Sequence, residues 1–340
     1  MYTGKNYSFW KTIRWSGKYV IFFIIYDTIV VCLHTFLGIE WLHLPWQPIS
    51  LIGIAVSFYL GFKNNSSYDR MWEARKIWGG IVNASRSFTV MARDFVNNDS
   101  AAEIKSEREL ASITKSLVHR HVAWLHSLAL EMRKMKSWEH NRPKDNLTRD
   151  ALDVHYSEEK FDEIKPYLSS EDFNYVMSKG NRSSHLLSLQ SKSIMNLRRS
   201  GHIEHFRHLE MQSLITEFYT LQGKSERIKN FPFPRQYASM NVFFVVIFIA
   251  LLPFGMLNIF HNQENEIFTL LAIPFSIVAS WVFWMMELIG DYSENPFEGL
   301  HNDIPIRSMA RGIEIDIRQM IDETELPEPM KPMGELNILV

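Results

Sequence analysis

Residues 49–62 read ISLIGIAVSFYLGF, and the chain continues without a helix breaker as KNNSSYDRMWEARKIWGGIV to residue 82. The apolar part is 14 residues long, short for a bilayer crossing, which takes about 20 residues of helix. The polar part that follows keeps helix-favouring composition. The pair therefore predicts one long helix that starts in lipid and runs out of it, its polar residues meeting water. Within the apolar part, Gly53, Ser57 and Gly61 recur every four residues and form a small-residue strip that lets helix backbones approach closely. One residue along, Ile54, Phe58 and Phe62 form a second strip, rotated by roughly 100° from the first. By spacing alone this bulky strip reads as core packing; the sharper alternative is a hydrophobic constriction that gates by dewetting.

Three other apolar runs accompany this segment. Residues 19–37 (YVIFFIIYDTIVVCLHTFL) give roughly 28 Å of helix, about one hydrocarbon core. A secretory signal is excluded by the late start of the run and the bulky GIEWLHLPW after it. Residues 240–260 contain Pro253 and Gly255, and residues 267–286 contain Pro274. Both are expected to be kinked or broken inside a multi-helix bundle. The expected spans are about 19–37, 49–72, 238–260 and 266–289, in two hairpins, flanking a helical region of about 73–235. Its periodicity shows at Leu110, Ile113, Leu117 and His121 and again at Leu125, Leu128 and Met132, with breaks at His140–Arg149 and Lys179–Arg182. Residues 1–300 read as one unit. The segment 301–340 is expected to be partly extended or disordered, most clearly from Glu325, where three prolines follow. The fold class is thus an all-α integral membrane protein.

Basic residues set the orientation. Lys5, Lys11, Arg14 and Lys18 precede the first span; Lys63, Arg70, Arg75 and Lys76 follow the second; Lys224, Arg227, Lys229 and Arg235 precede the third; Arg307 and Arg311 follow the fourth. The loops GIEWLHLPWQP and HNQENE carry none. Both termini and the middle region are expected in the cytoplasm, which for a bacterial chain means a multi-pass protein of the inner membrane. A net charge of -2 gives no basic field to draw nucleic acid. Cys32 is the only cysteine and lies in an apolar run, a small packing residue. Nucleophile-elbow, P-loop and zincin motifs are absent, so no enzyme class is indicated and no cofactor or metal is expected.

The run from Ser50 to Val82, with its Gly61-Phe62 pair and Asp69-Arg70-x-Trp72-Glu73, resembles the second helix of the bestrophin family, its bacterial members most of all. The stretch GHIEHFRHLEMQSLITEFYTLQGKSERIKNFPFPRQY (201–237) and Asn295-Pro296-Phe297 extend the resemblance over about residues 8–300. It implies a homopentameric ion channel with one axial pore lined by the second helix, passing monovalent ions. Carried over, the family's neck falls on Ile54, Phe58 and Phe62, and its lower cytosolic ring on Phe206 or Leu209, with Phe206 ahead. Animal members are opened by calcium held by acids after Asn-Pro-Phe; here that position reads EGLHNDIPI, with only Glu298 and Asp303, so no calcium activation is expected. Selectivity would come from vestibule charges: Glu204, Glu210 and Glu217 favour cations, Lys192, Arg198, Arg199 and Arg207 anions, and the balance leans to a cation or poorly selective pore. Asp27 and Glu287 sit in spans, where an inter-helix hydrogen bond is the expected use. His202, His205 and His208 are spaced to share a helix face, read as solvated or subunit-contact surface. The competing classes are a membrane-anchored scaffold or sensor, whose stripe is mere packing, and a secondary transporter built on the broken third and fourth helices.

Overall fold

The computed structural model describes residues 1–140, 158–261, 266–333 and 337–339. Among them the regular structure is helical, apart from isolated bridges that join Tyr2 and Met333 to Ile338. Helix α1 (Phe9–Leu37) starts where the Ser8 hydroxyl accepts from the Lys11 amide and stops at Gly38, whose φ of 65° is left-handed. A 3-10 turn (Glu40–Leu42) leads to α2 (Trp46–Phe95), a single helix of 50 residues that is about 75 Å long at 1.5 Å per residue. Helix α3 (Glu107–Met132) opens with a complete capping box between Ser106 and Glu109. A 3-10 segment (Glu158–Tyr167), α4 (Ser170–Met177), α5 (Arg182–Arg199) and α6 (His205–Asn230) complete the polar region. Then come α7 (Arg235–Phe260), the short α8 (Glu266–Thr269), α9 (Ala272–Ser293) and α10 (Ile306–Gln319).

Four helices are long and apolar enough to cross a membrane, and they contain the four runs read from the sequence. Of the two runs expected to be kinked or broken, the fourth is divided into two helices and the third is not. Helix α7 runs unbroken through Pro253, whose ring removes one backbone donor without ending the helix. In the fourth run the break falls between α8 and α9, ahead of Pro274, which occupies the first turn of α9, where proline costs no helical bond. The break at Lys179–Arg182 separates α4 from α5. The one expected beyond His140 lies outside the described residues, as does most of the loop HNQENE.

Two packed regions meet along α2. In the membrane part, Ile49, Val56 and Leu60 pack with Phe23 of α1 and with Val245, Phe248 and Leu252 of α7. In the polar part, Trp78, Ile81 and Phe88 of α2 join Trp124 of α3, Leu187 of α5 and Phe218 of α6 in one large core. Helix α10 also enters that core through Ile306, Ala310, Ile313 and Ile317. The amphipathic pattern that produces this helix lies within residues 301–340, the segment expected to be partly extended or disordered, and ahead of Glu325. Beyond it, residues 323–332 carry neither helix nor strand.

Candidate functional site

Helix α2 has two faces. Gly53, Val56, Leu60 and Lys63 are buried against the other spans, while Ile54, Phe58 and Phe62 are 67%, 76% and 53% exposed. Three bulky apolar side chains thus stand one turn apart on a surface that the chain itself leaves uncovered. The small strip is used unevenly. A Cβ on Gly53 would lie 2.7 Å from the Phe248 ring, so this glycine permits the α2–α7 contact. Ser57 returns its hydroxyl to the Gly53 carbonyl at 2.8 Å, and around Gly61 nothing lies within 4 Å of such a Cβ. Within one chain, therefore, only Gly53 packs helix against helix.

Just past the stripe, the Lys63 ammonium donates to the Glu287 carboxylate, which also accepts from the Asn241 amide, joining α2, α9 and α7 through buried groups. A buried charge is tolerable only when paired in this way. Glu287 thus makes the inter-helix bond expected of it. Asp27 does not: it is buried, and among the described residues its carboxylate has no hydrogen-bond partner. Further down α2, the Arg70 guanidinium donates to the carbonyls of Glu294 (2.9 Å), Ile228 (3.1 Å) and Phe231 (3.0 Å), anchoring α2 to the C-terminal ends of α6 and α9.

The second region is the start of α6. Phe206 is 71% exposed and Leu209 50% exposed. Glu210 and Glu217 are exposed on the same side of the helix as Phe206, at spacings of four and eleven residues. Glu204 differs from them. It is the N-cap, and its carboxylate accepts from the amides of Phe206 (2.8 Å) and Arg207 (3.3 Å), so its oxygens serve the helix start. Nor do the three histidines share a face. His202 precedes α6 and is buried against Ser200 (2.8 Å), His208 is buried within the helix, and His205 is exposed. Among the described residues no group of three or more His, Cys, Asp or Glu has the placement to hold a metal.

The third region follows α9. Both oxygens of Glu298 lie 3.0 Å from His140 Nδ1, while His140 Nε2 lies 3.2 Å from Asp291 and the ring stacks on Tyr292. A carboxylate on each ring nitrogen needs a proton on each. Burial works against that charge, but hydrogen bonds to Asp291 and Glu298 prevail and raise the pKa to about 10. Asp303 accepts from the amides of Gly299 and Leu300 (2.9 Å from the latter). Its burial, reinforced by the charge of Glu298, raises its pKa to about 7. From the sequence Lys63 and Arg70 served for orientation, Arg70 also for the family motif, and His140 as the start of a break, but none was assigned a contact. The available signal was depth: one basic and one acidic residue near the ends of different apolar runs, Lys63 and Glu287.

The chain was compared with known proteins. The family described as Bacterial/Fungal Bestrophin protein matches residues 14–319. The voltage-dependent anion channel-forming protein YneE of Escherichia coli K12 is 24% identical over 319 residues, 93% of this chain and 90% of that one. The voltage-dependent anion channel-forming protein RSc3414 of Ralstonia nicotianae is 29% identical over 292 residues, 85% of this chain and 82% of the relative. Among solved structures, a bacterial bestrophin homolog from Klebsiella pneumoniae shares the fold with a TM-score of 0.72 at 23% identity, covering 90% of this chain and 98% of that one.

Proposed function

Since the chain belongs to the bacterial and fungal bestrophin proteins, we propose that it is a passive ion channel, not an enzyme, assembled from five copies around one axis. In this reading α2 of each copy lines the pore, and Ile54, Phe58 and Phe62 form its apolar neck. One observation carries the proposal: three large apolar side chains of a membrane helix are left exposed by their own chain, opposite the face that packs. Exposure of this size excludes a stripe buried as core within one chain, and the resemblance to the family's neck favours the pore over lipid for these three side chains. The free space at Gly61 supports close approach of a second copy. In the lower ring, the greater exposure of Phe206 favours it over Leu209. Both termini and the helical region face the cytoplasm, as the basic flanks of the spans require, and the membrane is the bacterial inner membrane.

The pore passes small monovalent ions. Glu210 and Glu217, on the face that carries Phe206, favour cations; Glu204, held as a helix cap, contributes less. The opposite reading, an anion pore, is favoured by the names of the Escherichia and Ralstonia relatives. Calcium does not open the channel, since His140 takes both oxygens of Glu298, and of Asp303 one oxygen accepts from backbone amides and only the other, buried, is left.

The proposal is tested with purified protein in liposomes and planar bilayers. A particle mass of five chains and passive flux of defined ions are expected; a monomer or dimer without flux favours the scaffold or transporter. Reversal potentials in a salt gradient decide the sign of the permeant ion. Glu217→Gln should shift the reversal potential toward anions, and steep micromolar calcium opening would refute the calcium statement.

A further inference from the structure

The first turns of α1 lie beside the last turns of α9, at the end of the spans nearest the helical region. Between them is a cavity of about 420 Å³, whose lining includes Tyr7, Lys11, Trp15, Trp281, Ile289 and Asn302. Its wall changes character along its length. Toward the spans it is Trp281, Met285 and Ile289; toward the polar region it is Lys11, the Tyr7 hydroxyl and Asn302. Among the described lining residues there is no Asp or Glu, so the lysine gives the cavity a positive end. Two donors are buried there without a partner among the described residues: the Tyr7 hydroxyl and the Trp281 indole N–H. Leaving such groups unpaired is unfavourable, so the cavity is suited to an acceptor that the described residues do not supply. Burial, with the nearby Tyr2, pushes the Tyr7 phenol up to about 12, keeping its proton available for donation.

The outer surface around the cavity agrees. Lys11, Arg14 and Lys18 recur at three and four residues along one face of α1. Phe9 and Trp10 project from the same turns into the surroundings, as side chains at a membrane–water interface do. Any phosphodiester can accept from Lys11 and Tyr7, but the fixed cation of a zwitterionic headgroup is repelled by Lys11, so a headgroup of net negative charge is preferred.

We propose that this cavity binds an anionic phospholipid, its phosphodiester held at the polar end by Lys11 and Tyr7 and one acyl chain lying against Trp281, Met285 and Ile289. The inference stands apart from the channel reading, since it needs only that the protein sits in a bilayer.

The test is native mass spectrometry of the full-length, delipidated protein in detergent. It is titrated with phosphatidylglycerol, with phosphatidylcholine of the same chains, and with inorganic phosphate. Phosphatidylglycerol is expected to bind more tightly than phosphatidylcholine, which carries the same phosphodiester beside a fixed cation. Lys11→Gln should weaken phosphatidylglycerol binding about fivefold, which corresponds to about 1 kcal/mol for one basic residue against an anionic lipid. Tyr7→Phe, which keeps the ring and removes the hydroxyl, should also weaken it. Equal binding of both lipids, or no effect of either variant, overturns the proposal. Competition by millimolar inorganic phosphate as effective as by the lipid overturns the lipid in favour of a free anion.

Discussion

Phe58→Ala separates a pore-facing stripe from a core stripe, because the two locations carry different costs. A buried phenylalanine replaced by alanine costs about 3–5 kcal/mol, transfer and cavity together. Phe58 is 76% exposed within its chain, so only about a quarter of its surface is covered. A phenylalanine that buries about 200 Å² when enclosed thus loses roughly 50 Å² here, about 1 kcal/mol at 25 cal/mol/Å². Alanine's better helix propensity returns a few tenths of that. The thermal unfolding midpoint of the detergent-solubilised protein should therefore move by a few degrees at most. The current should move far more: five rings removed from one level admit water to the constriction, and each 1.4 kcal/mol taken off a barrier is about tenfold in rate. Single-channel or macroscopic currents in planar bilayers, recorded beside particle mass, read both quantities. A current unchanged from wild type, at unchanged particle mass, refutes the neck assignment. Dissociation of the particle together with a loss of 3–5 kcal/mol places Phe58 between copies instead.

Two further perturbations test local physics. Gly53→Ala puts a methyl 2.7 Å from the Phe248 ring and should cost about 1–3 kcal/mol by overpacking, whereas Gly61→Ala meets nothing within 4 Å in its own chain; circular-dichroism melts should show the first destabilised and the second unchanged, and a fall in particle mass for Gly61→Ala alone marks that glycine as a contact between copies. His140 has a pKa raised from its ordinary value to about 10, so its ion pairs stabilise the folded protein fully below pH 6.5, and that contribution disappears as pH rises through 10. The melting difference between wild type and His140→Gln should accordingly shrink between pH 8 and 10.5; a difference constant over that range contradicts a charged imidazole.

The parts legible in the sequence are those that depend on period alone. Bulky residues every four positions mark a helix face whatever covers it, and so Ile54, Phe58 and Phe62 could be grouped before any packing was known. What remained hidden depends on partners distant in sequence. Lys63 reads as the first polar residue after a span until Glu287, 224 residues away, is placed against it. Glu204 reads as a vestibule charge because glutamate is not among the usual N-caps, and only the local turn shows where its carboxylate goes. Helix α10 was legible in principle: Ile306, Ala310, Ile313 and Ile317 have helical spacing, yet only the prolines beyond Glu325 entered the expectation that residues 301–340 are partly extended or disordered. The face of α2 that no residue of the chain covers had no sequence signature distinguishing it from core.

Helix α2 has a mechanical consequence. Because 50 residues are hydrogen-bonded into one rod with no proline between Ile49 and Phe95, the apolar stripe and the Trp78–Phe88 core are rigidly coupled ends of a lever. Arg70, tied to three carbonyls near the middle of the rod, sits where such a lever has its fulcrum, and a tilt of about 5° about it carries each end roughly 3 Å, in opposite directions. Any load on the helices of the polar region is then delivered, with a fixed gearing, to the membrane.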